Sequence, residues 1–140
     1  MSKIILTDTC YWIGLIDPKD QYHEDAKAIS ELIDEYKILL PWPCLYEAIS
    51  THMVRSREKT VYFENILKKP KVELIDDNIY KNIALNEVFD FNRKHEHSHS
   101  LADAVIREIL KDINLKVNYL ATFNNKDFKD LCDRRQIEII

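Results

Sequence analysis

Glycine is almost absent from this chain of 140 residues, in which Gly14 is the only one. Average usage of about 7% would supply roughly ten glycines in a chain of this length. Phosphate-binding loops of the Walker and dinucleotide-binding kinds need two or three glycines in close succession, and a nucleophile elbow also needs glycine support. The composition excludes these sites, so any phosphate group must be held by charged side chains or by a metal ion.

Cysteine is scarce as well, since Cys10, Cys44 and Cys132 are far apart and odd in number. This pattern argues against a disulfide framework, and the lack of a Cys-x-x-Cys pair argues against structural zinc. The N-terminal apolar run is short and is interrupted by Asp8, unlike a signal peptide or a membrane span. We therefore expect a reduced, cytoplasmic protein with no membrane segment.

The charge balance gives no general attraction for nucleic acid, because 20 basic and 24 acidic residues leave a net charge of −4. One segment differs: residues 52–71 contain six basic and two acidic side chains, a net charge of +4. A solvated amphipathic helix explains this segment without any ligand. Guidance of an RNA backbone by Arg55, Arg57 and Lys59 is the alternative.

The order of apolar runs and amphipathic segments predicts one α/β domain over residues 1–140. Predicted strands cover residues 4–6, 38–40, 72–75, 118–122 and 137–140. The first predicted helix ends at Ile16. Further helices are predicted over residues 24–36, 43–53, 61–67, 76–91 and 101–113, and a short one before the last strand. Asp76-Asp77 is the predicted cap of the helix over 76–91. This alternation favours a central, mostly parallel sheet of four to five strands that is covered on both faces.

Four acids occupy positions at which this architecture places ligands. Asp8 and Asp127 follow the first and fourth predicted strands, and parallel sheets bind ligands beyond the carboxyl ends of their strands. Each of the two is equally explained as a helix cap. Asp103 lies at the edge of an apolar helix face, as a site residue or as an exposed partner of Arg107. The helical wheel alone makes Glu47 a surface carboxylate, opposite the apolar stripe.

A group of carboxylates is the ligand set that a hard divalent cation prefers. Such a cation can orient a phosphate, neutralise its charge and activate a water molecule. The alternating histidines His95, His97 and His99 have polar neighbours and no cysteine nearby, so we interpret them as a solvated loop.

Four segments of the chain carry a family resemblance. The chain contains Ile-Leu-Thr-Asp-Thr-Cys-Tyr-Trp from Ile5, Pro-Cys-Leu-Tyr-Glu-Ala from Pro43, Ser-Leu-Ala-Asp-Ala from Ser100 and Thr-Phe-Asn-Asn-Lys-Asp-Phe from Thr122. In order and over essentially the whole chain, these motifs resemble those of PIN-domain nucleases, in particular VapC-type toxins of toxin–antitoxin pairs. The resemblance implies a three-layer α/β/α PIN-like fold.

The resemblance also implies which residues act and on what. Asp8, Glu47, Asp103 and Asp127 match the acids that bind one or two Mg²⁺ or Mn²⁺ ions for catalysis, so the outward face of Glu47 becomes the wall of an acidic pocket. Many relatives carry aspartate at the position of Asn124, so the fourth acidic role falls to Asp127 or is weaker here.

Supporting hydroxyls and partners follow from the same resemblance. Thr9, Ser100 and Thr122 match the residues whose hydroxyls bond to acids or to metal-bound water. The expected protein is a metal-dependent endoribonuclease that leaves a 5′-phosphate, forms a homodimer and is silenced by an antitoxin.

Two other interpretations stay open. A non-catalytic PIN-like module that binds RNA or protein is favoured by Asn124. Another kind of carboxylate–Mg²⁺ phosphohydrolase is disfavoured, because its nucleophilic aspartate normally has a second aspartate two residues on, whereas Asp8 is followed by Thr9-Cys10.

Overall fold

The chain folds around a parallel β-sheet, as the sequence predicts. A computed structural model describes residues 3–96 and 98–140, with only the backbone described at Thr51. Its five strands are β1 Ile4–Thr7, β2 Lys37–Pro41, β3 Val72–Ile75, β4 Tyr119–Ala121 and β5 Glu138–Ile139. They lie in the order β3-β2-β1-β4-β5, and every neighbouring pair is parallel. The predicted α/β class and the predicted number of strands are confirmed.

Eight helices connect and cover the strands in the described part of the chain. They are α1 Thr9–Ile16, α2 His23–Leu32, α3 Trp42–Ala48, α4 Thr51–Val54, α5 Arg57–Leu67, α6 Lys81–Lys94, α7 Leu101–Lys111 and α8 Lys129–Arg135, with a 3₁₀ turn at Asn125–Asp127. Successive residues Ile5, Leu6 and Thr7 of β1 are all buried. Because successive side chains point to opposite faces of a sheet, both faces are covered around β1. This is the predicted α/β/α arrangement.

Several predicted helix boundaries are wrong. The helix predicted over 43–53 is two helices, since the backbone at Ile49 and Ser50 leaves the helical region and α4 starts anew. α5 starts at Arg57, four residues before the predicted start at 61, because Ser56 caps it by accepting a hydrogen bond from the Lys59 N–H. α2 ends at Leu32, short of the predicted end at 36.

The acids Asp76 and Asp77 do not cap α6. Asp76 accepts a hydrogen bond from the Asn78 N–H, and the Asp77 carbonyl accepts from Tyr80 and Lys81. These bonds form a turn that delays the start of α6 to Lys81.

The single glycine lies where α1 and α2 pack together. A β-carbon added to Gly14 would lie 3.3 Å from Ala26 Cβ and 3.4 Å from the Tyr22 carbonyl oxygen. The Gly14 carbonyl also lies 2.8 Å from His23 Nδ1, at the start of α2. The glycine therefore serves close helix packing, not a phosphate loop.

Candidate active site

Asp8 lies at the carboxyl end of β1, in the centre of the sheet. Its backbone N–H donates to the Ala121 carbonyl of β4 at 3.0 Å, which joins the ends of the two strands. It is also the N-cap of α1, and its Oδ1 accepts from the Thr9 N–H at 2.7 Å. The interpretation of Asp8 as a helix cap is confirmed, and the cap lies at the edge at which parallel sheets bind ligands.

The Asp8 carboxylate is buried and destabilised as an anion. The residue is only 3% exposed. Burial and, to a smaller extent, the charge of Asp103 raise the pKa of Asp8 to about 6, against the opposing effect of the hydrogen bond from Thr122. The structure thus brings Asp8 and Asp103 close enough for their charges to interact, with a desolvated oxygen ligand on Asp8.

Glu47 joins the same site through a hydrogen bond from Thr9. The Thr9 hydroxyl donates to Glu47 Oε1 at 2.7 Å, while the Thr9 backbone N–H donates to Asp8. Thr9 is buried and Glu47 is exposed. The helical wheel correctly predicts that Glu47 faces solvent, and the bond to Thr9 turns that exposed carboxylate toward the end of β1.

Thr122 and Cys10 hold the second oxygen of Asp8. The Thr122 hydroxyl donates to Asp8 Oδ2 at 2.8 Å, and the Cys10 thiol contacts the same oxygen at 3.4 Å. Behind them, the Asn124 N–H donates to Thr122 Oγ1 at 3.0 Å and the Phe123 N–H donates to Cys10 Sγ at 3.3 Å. The segment after β4 therefore fixes the orientation of Asp8.

The two cysteines near the acids are residues that sequence reasoning missed. Burial, followed by the charge of Asp8, raises the pKa of Cys10 to about 12, so its thiol remains a hydrogen-bond donor. Burial also raises the pKa of Cys44 well above its usual range, and the charges of Asp8 and Glu47 add to the shift. The available signal was the position of Cys10 two residues after Asp8, and of Cys44 three before Glu47.

Asp103 is oriented by a capping box at the start of α7. The Asp103 N–H donates to Ser100 Oγ at 3.0 Å, and the Ser100 N–H donates to Asp103 Oδ2 at 3.1 Å. The alternative pairing of Asp103 with Arg107 is wrong. Arg107 instead forms two hydrogen bonds of 2.9 Å with the Asp130 carboxylate.

The histidine at position 99 is not in a solvated loop, contrary to the prediction for His95 to His99. The His99 ring is 3% exposed, and its Nε2 lies 3.6 Å from Asp127 Oδ1. Phe91 stacks on this ring with centroids 3.9 Å apart. His95 is exposed, as predicted, and His97 lies outside the described residues. The His99 ring is covered by Phe91, which lies in the preceding helix α6, and by Asp127, which is distant in the sequence. No local sequence pattern therefore indicates that His99 is buried.

Asp127 occupies a different position from the other three acids. It lies in the 3₁₀ turn after β4, and its side chain faces His99. Its carbonyl accepts a hydrogen bond of 2.7 Å from Arg107 Nη1. The bland alternative, that Asp127 caps the next helix, is wrong, because the residue before α8 is Phe128 and no side chain caps it.

The donor set near Asp8 fits a divalent cation in kind. Over residues 3–96 and 98–140, no three His, Cys, Asp or Glu side chains are grouped as a ready-made metal site. Mg²⁺, however, is commonly bound by one or two carboxylates and keeps several waters. Asp8 and Asp103, whose charges interact, are two such carboxylates. Thr9 links Glu47 to Asp8, because its backbone N–H donates to Asp8 and its hydroxyl donates to Glu47.

The three basic residues singled out for RNA binding differ in their surroundings. Lys59 forms an ion pair of 3.3 Å with Asp17 and is largely covered. Arg55 follows α4 and Arg57 begins α5, and both are exposed.

Within the part of the chain that the structure describes, no helix combines the length and apolar character needed to cross a bilayer.

Three solved structures share this fold. Mycobacterium tuberculosis VapC20, a toxin that cleaves the sarcin–ricin loop, is 15% identical, with 90% of this chain and 94% of that chain covered and a TM-score of 0.66. VapBC2 from Rickettsia felis, solved with a DNA fragment from their promoter, is 16% identical over 98% and 97% of the two chains, with a TM-score of 0.66. FitAcB from Neisseria gonorrhoeae is 18% identical over 97% and 96%, with a TM-score of 0.60.

These likenesses confirm the predicted PIN-like α/β/α fold and the resemblance to VapC-type proteins at the level of the fold. No protein-family model and no curated protein matches the sequence.

Proposed function

Proceeding from the fold that this chain shares with VapC-type toxins, we propose that it is a metal-dependent endoribonuclease and the toxin of a toxin–antitoxin pair. Asp8, Asp103 and Glu47 are the proposed ligands of Mg²⁺ or Mn²⁺, and residues 1–140 act as one nuclease domain. When bound, the metal supplies a Lewis acid that neutralises charge on the scissile phosphate. The resemblance assigns a 5′-phosphate to the product.

The observation that carries this proposal is the buried carboxylate of Asp8. It is 3% exposed, and the charged group that contributes to its raised pKa is another acid, Asp103. In the described residues, no lysine or arginine forms an ion pair with Asp8, Glu47 or Asp103. An uncompensated pair of acids opposes folding, and a site that binds a cation accounts for keeping it.

The protein side chains orient these acids before any substrate arrives. The bonds from Thr9 and Thr122 fix both oxygens of Asp8, and the Thr9 hydroxyl fixes Glu47. The capping box with Ser100 fixes Asp103. Such orientation lowers the entropy cost of placing a metal and a phosphodiester together. Asn124 has a supporting role because its backbone N–H donates a hydrogen bond to Thr122. Asp127 has a supporting role through its contacts with His99, just before α7, and with Arg107 in α7.

For the RNA, we propose that Arg55 and Arg57 contact backbone phosphates, with Lys59 as a weaker contributor because it is paired with Asp17. Both arginines are exposed. Phosphate contacts of this kind hold RNA without reading its sequence, so the cleavage site is selected by the shape of the groove that binds the RNA.

An antitoxin partner and a homodimer are part of the proposal. VapBC2 and FitAcB share the fold, and helices α3 to α5 expose large apolar side chains that a partner is able to cover: Trp42, Tyr46, Ile49, Val54 and Tyr62. We expect a neighbouring reading frame to encode a small DNA-binding protein that co-purifies with this chain, and a cytoplasmic location for both.

A binding module without catalysis is the second candidate. The observation in its favour is that no three potential ligands are grouped among residues 3–96 and 98–140. A titration with Mn²⁺ alone separates the two candidates, because a nuclease of the proposed kind gains thermal stability from Mn²⁺ and a metal-free module does not.

The test of the nuclease is RNA cleavage by matched variants. Asp8→Asn and Asp103→Asn should keep the fold and lower the Mg²⁺-dependent rate by at least about 100-fold, the upper range for loss of even an outer partner of a metal. The exposed Asp25→Asn on α2 is the matched control and should cleave like the wild type. Undiminished cleavage by both active-site variants would refute the proposal.

A further inference from the structure

The segment that follows β4 contacts two separate parts of the candidate site. At its start, the Thr122 hydroxyl donates to Asp8 Oδ2 at 2.8 Å. At its end, Asp127 contacts α7 and the residues before it, through His99 and Arg107. Residues 122–127 therefore connect the end of β1 to the start of α7, which carries Asp103.

His99 lies immediately before the start of α7. It directly precedes Ser100, the residue that forms the capping box with Asp103. The Asn92 side chain forms two hydrogen bonds with the backbone of His99: its Oδ1 accepts from the N–H at 2.9 Å, and its Nδ2 donates to the carbonyl at 3.1 Å. The backbone of His99 therefore leads directly into the capping box that orients Asp103.

Two side chains lie against the His99 ring. Phe91 stacks on it at 3.9 Å with planes 13° apart, and Asp127 Oδ1 lies 3.6 Å from Nε2. The side chains of His99 and Asp127 are both covered, since only 3% and 13% of them, respectively, are exposed. The Asp127 carboxylate thus points at the histidine within an ion-pair distance, in a setting with little solvent to screen the interaction.

We propose that Asp127 is a positioning residue that acts through His99, holding the start of α7 so that Asp103 faces Asp8, and is not a ligand of the metal. This inference rests on the proposed function for its consequence, a preformed pair of acids. The contact between Asp127 and His99 and the clamp by Asn92 carry it independently of any metal. Arg107, which binds the Asp127 carbonyl, keeps the turn in place when the carboxylate is altered.

A double-mutant cycle tests the proposal, with Asp127→Asn, His99→Gln and the double variant. The exposed Asp133→Asn on α8, whose partner is Lys129, is the matched control. The first readout needs no metal: it is amide hydrogen exchange at Ser100 and Asp103, whose N–H groups form the capping box. Each single variant should speed this exchange about 10-fold, and the double variant should add little, because coupled residues are non-additive.

The second readout is the dissociation constant of Mn²⁺ measured with the metal alone. Each single variant should weaken Mn²⁺ binding about 10-fold, the lower range for an outer-shell partner, with no further loss in the double variant. A metal ligand behaves differently: Asp127→Asn would then weaken Mn²⁺ binding in the His99→Gln background as much as it does in the wild type. That result, or unchanged exchange at Ser100 and Asp103, overturns the proposal.

The two readouts separate this inference from the proposed function. Failure of the wild-type protein to bind Mn²⁺ contradicts the nuclease, while the exchange cycle still decides whether Asp127 acts through His99. If His99→Gln does not fold, Asp127→Asn supplies the test, because it removes the charge and keeps the size of the side chain. Exchange in that variant equal to that of Asp133→Asn would refute the positioning role.

Discussion

Replacing Asp8 with asparagine should stabilise the metal-free protein at pH 8, although the residue belongs to the proposed active site. Burial and the charge of Asp103 raise the pKa of Asp8 from 3.8 to about 6 in the folded protein. The folded state therefore binds this proton more tightly than the unfolded chain does. As the pH rises from 3.8 to 6, the ionised carboxylate increasingly lowers the free energy of unfolding, and above pH 6 the loss is complete.

The size of the effect follows from the difference in pKa. Because the pKa of Asp8 lies about 2 units higher in the folded protein and each unit corresponds to about 1.4 kcal/mol, ionisation of Asp8 lowers the free energy of unfolding by about 3 kcal/mol above pH 6. Asparagine removes that penalty and keeps an acceptor for the Thr9 N–H, but its amide group requires the Thr122 hydroxyl to reverse its role. We subtract about 1 kcal/mol for this change. The variant should then be about 2 kcal/mol more stable than the wild type at pH 8, and slightly less stable at pH 4.

The assay is urea unfolding in EDTA, followed by tryptophan fluorescence, at pH 8 and pH 4. Asp25→Asn, at an exposed site on α2, is the matched control and should leave the free energy of unfolding within about 0.5 kcal/mol. Saturating Mn²⁺ should stabilise the wild type and not Asp8→Asn. Two results would contradict the cost assigned to ionising the buried Asp8: a variant less stable than the wild type at pH 8, or a difference in the free energy of unfolding that does not change with pH.

Three further predictions concern other parts of the chain. Thr9→Val should lower RNA cleavage about 10- to 100-fold by releasing Glu47, whereas Thr9→Ser should retain most of it in the same rate assay. Alanine at both Arg55 and Arg57 should weaken RNA binding and reduce the salt slope of log K by about 1.4, as measured by titration at several salt concentrations. Gly14→Val should lower the free energy of unfolding by about 1–3 kcal/mol in urea, because a β-carbon added at this position would lie only 3.3 Å from Ala26 Cβ in α2. An unchanged cleavage rate, salt slope or unfolding midpoint, respectively, would contradict each one.

The fold was largely predictable from the sequence because its central strands β1 and β2 are short apolar runs that are buried on both faces. Ile4 to Leu6 and Ile38 to Leu40 lie in strands β1 and β2, as predicted. The helix ends were less predictable. The break at Ile49 depends on backbone angles that its apolar neighbours do not indicate, and the early start of α5 depends on one serine side chain.

The candidate site was predictable only in part. Asp8 and Thr122 follow strands, so their position at the sheet edge follows from the topology. The hydrogen bond from Thr9 to Glu47 joins residues 38 positions apart, and no local pattern contains it. The burial of His99 likewise depends on packing against Phe91 and Asp127. Long-range contacts of this kind are set by tertiary structure, which periodicity does not encode.

We propose above all that this chain cleaves RNA with a divalent metal held at Asp8 and Asp103. The most direct measurement is cleavage of a mixed cellular RNA by the purified protein in Mg²⁺ and in EDTA, with the ends of the products mapped. We expect cuts with 5′-phosphate ends in Mg²⁺ and none in EDTA. Cleavage that persists at the same rate in EDTA, or 5′-hydroxyl ends at the cut sites, would contradict it.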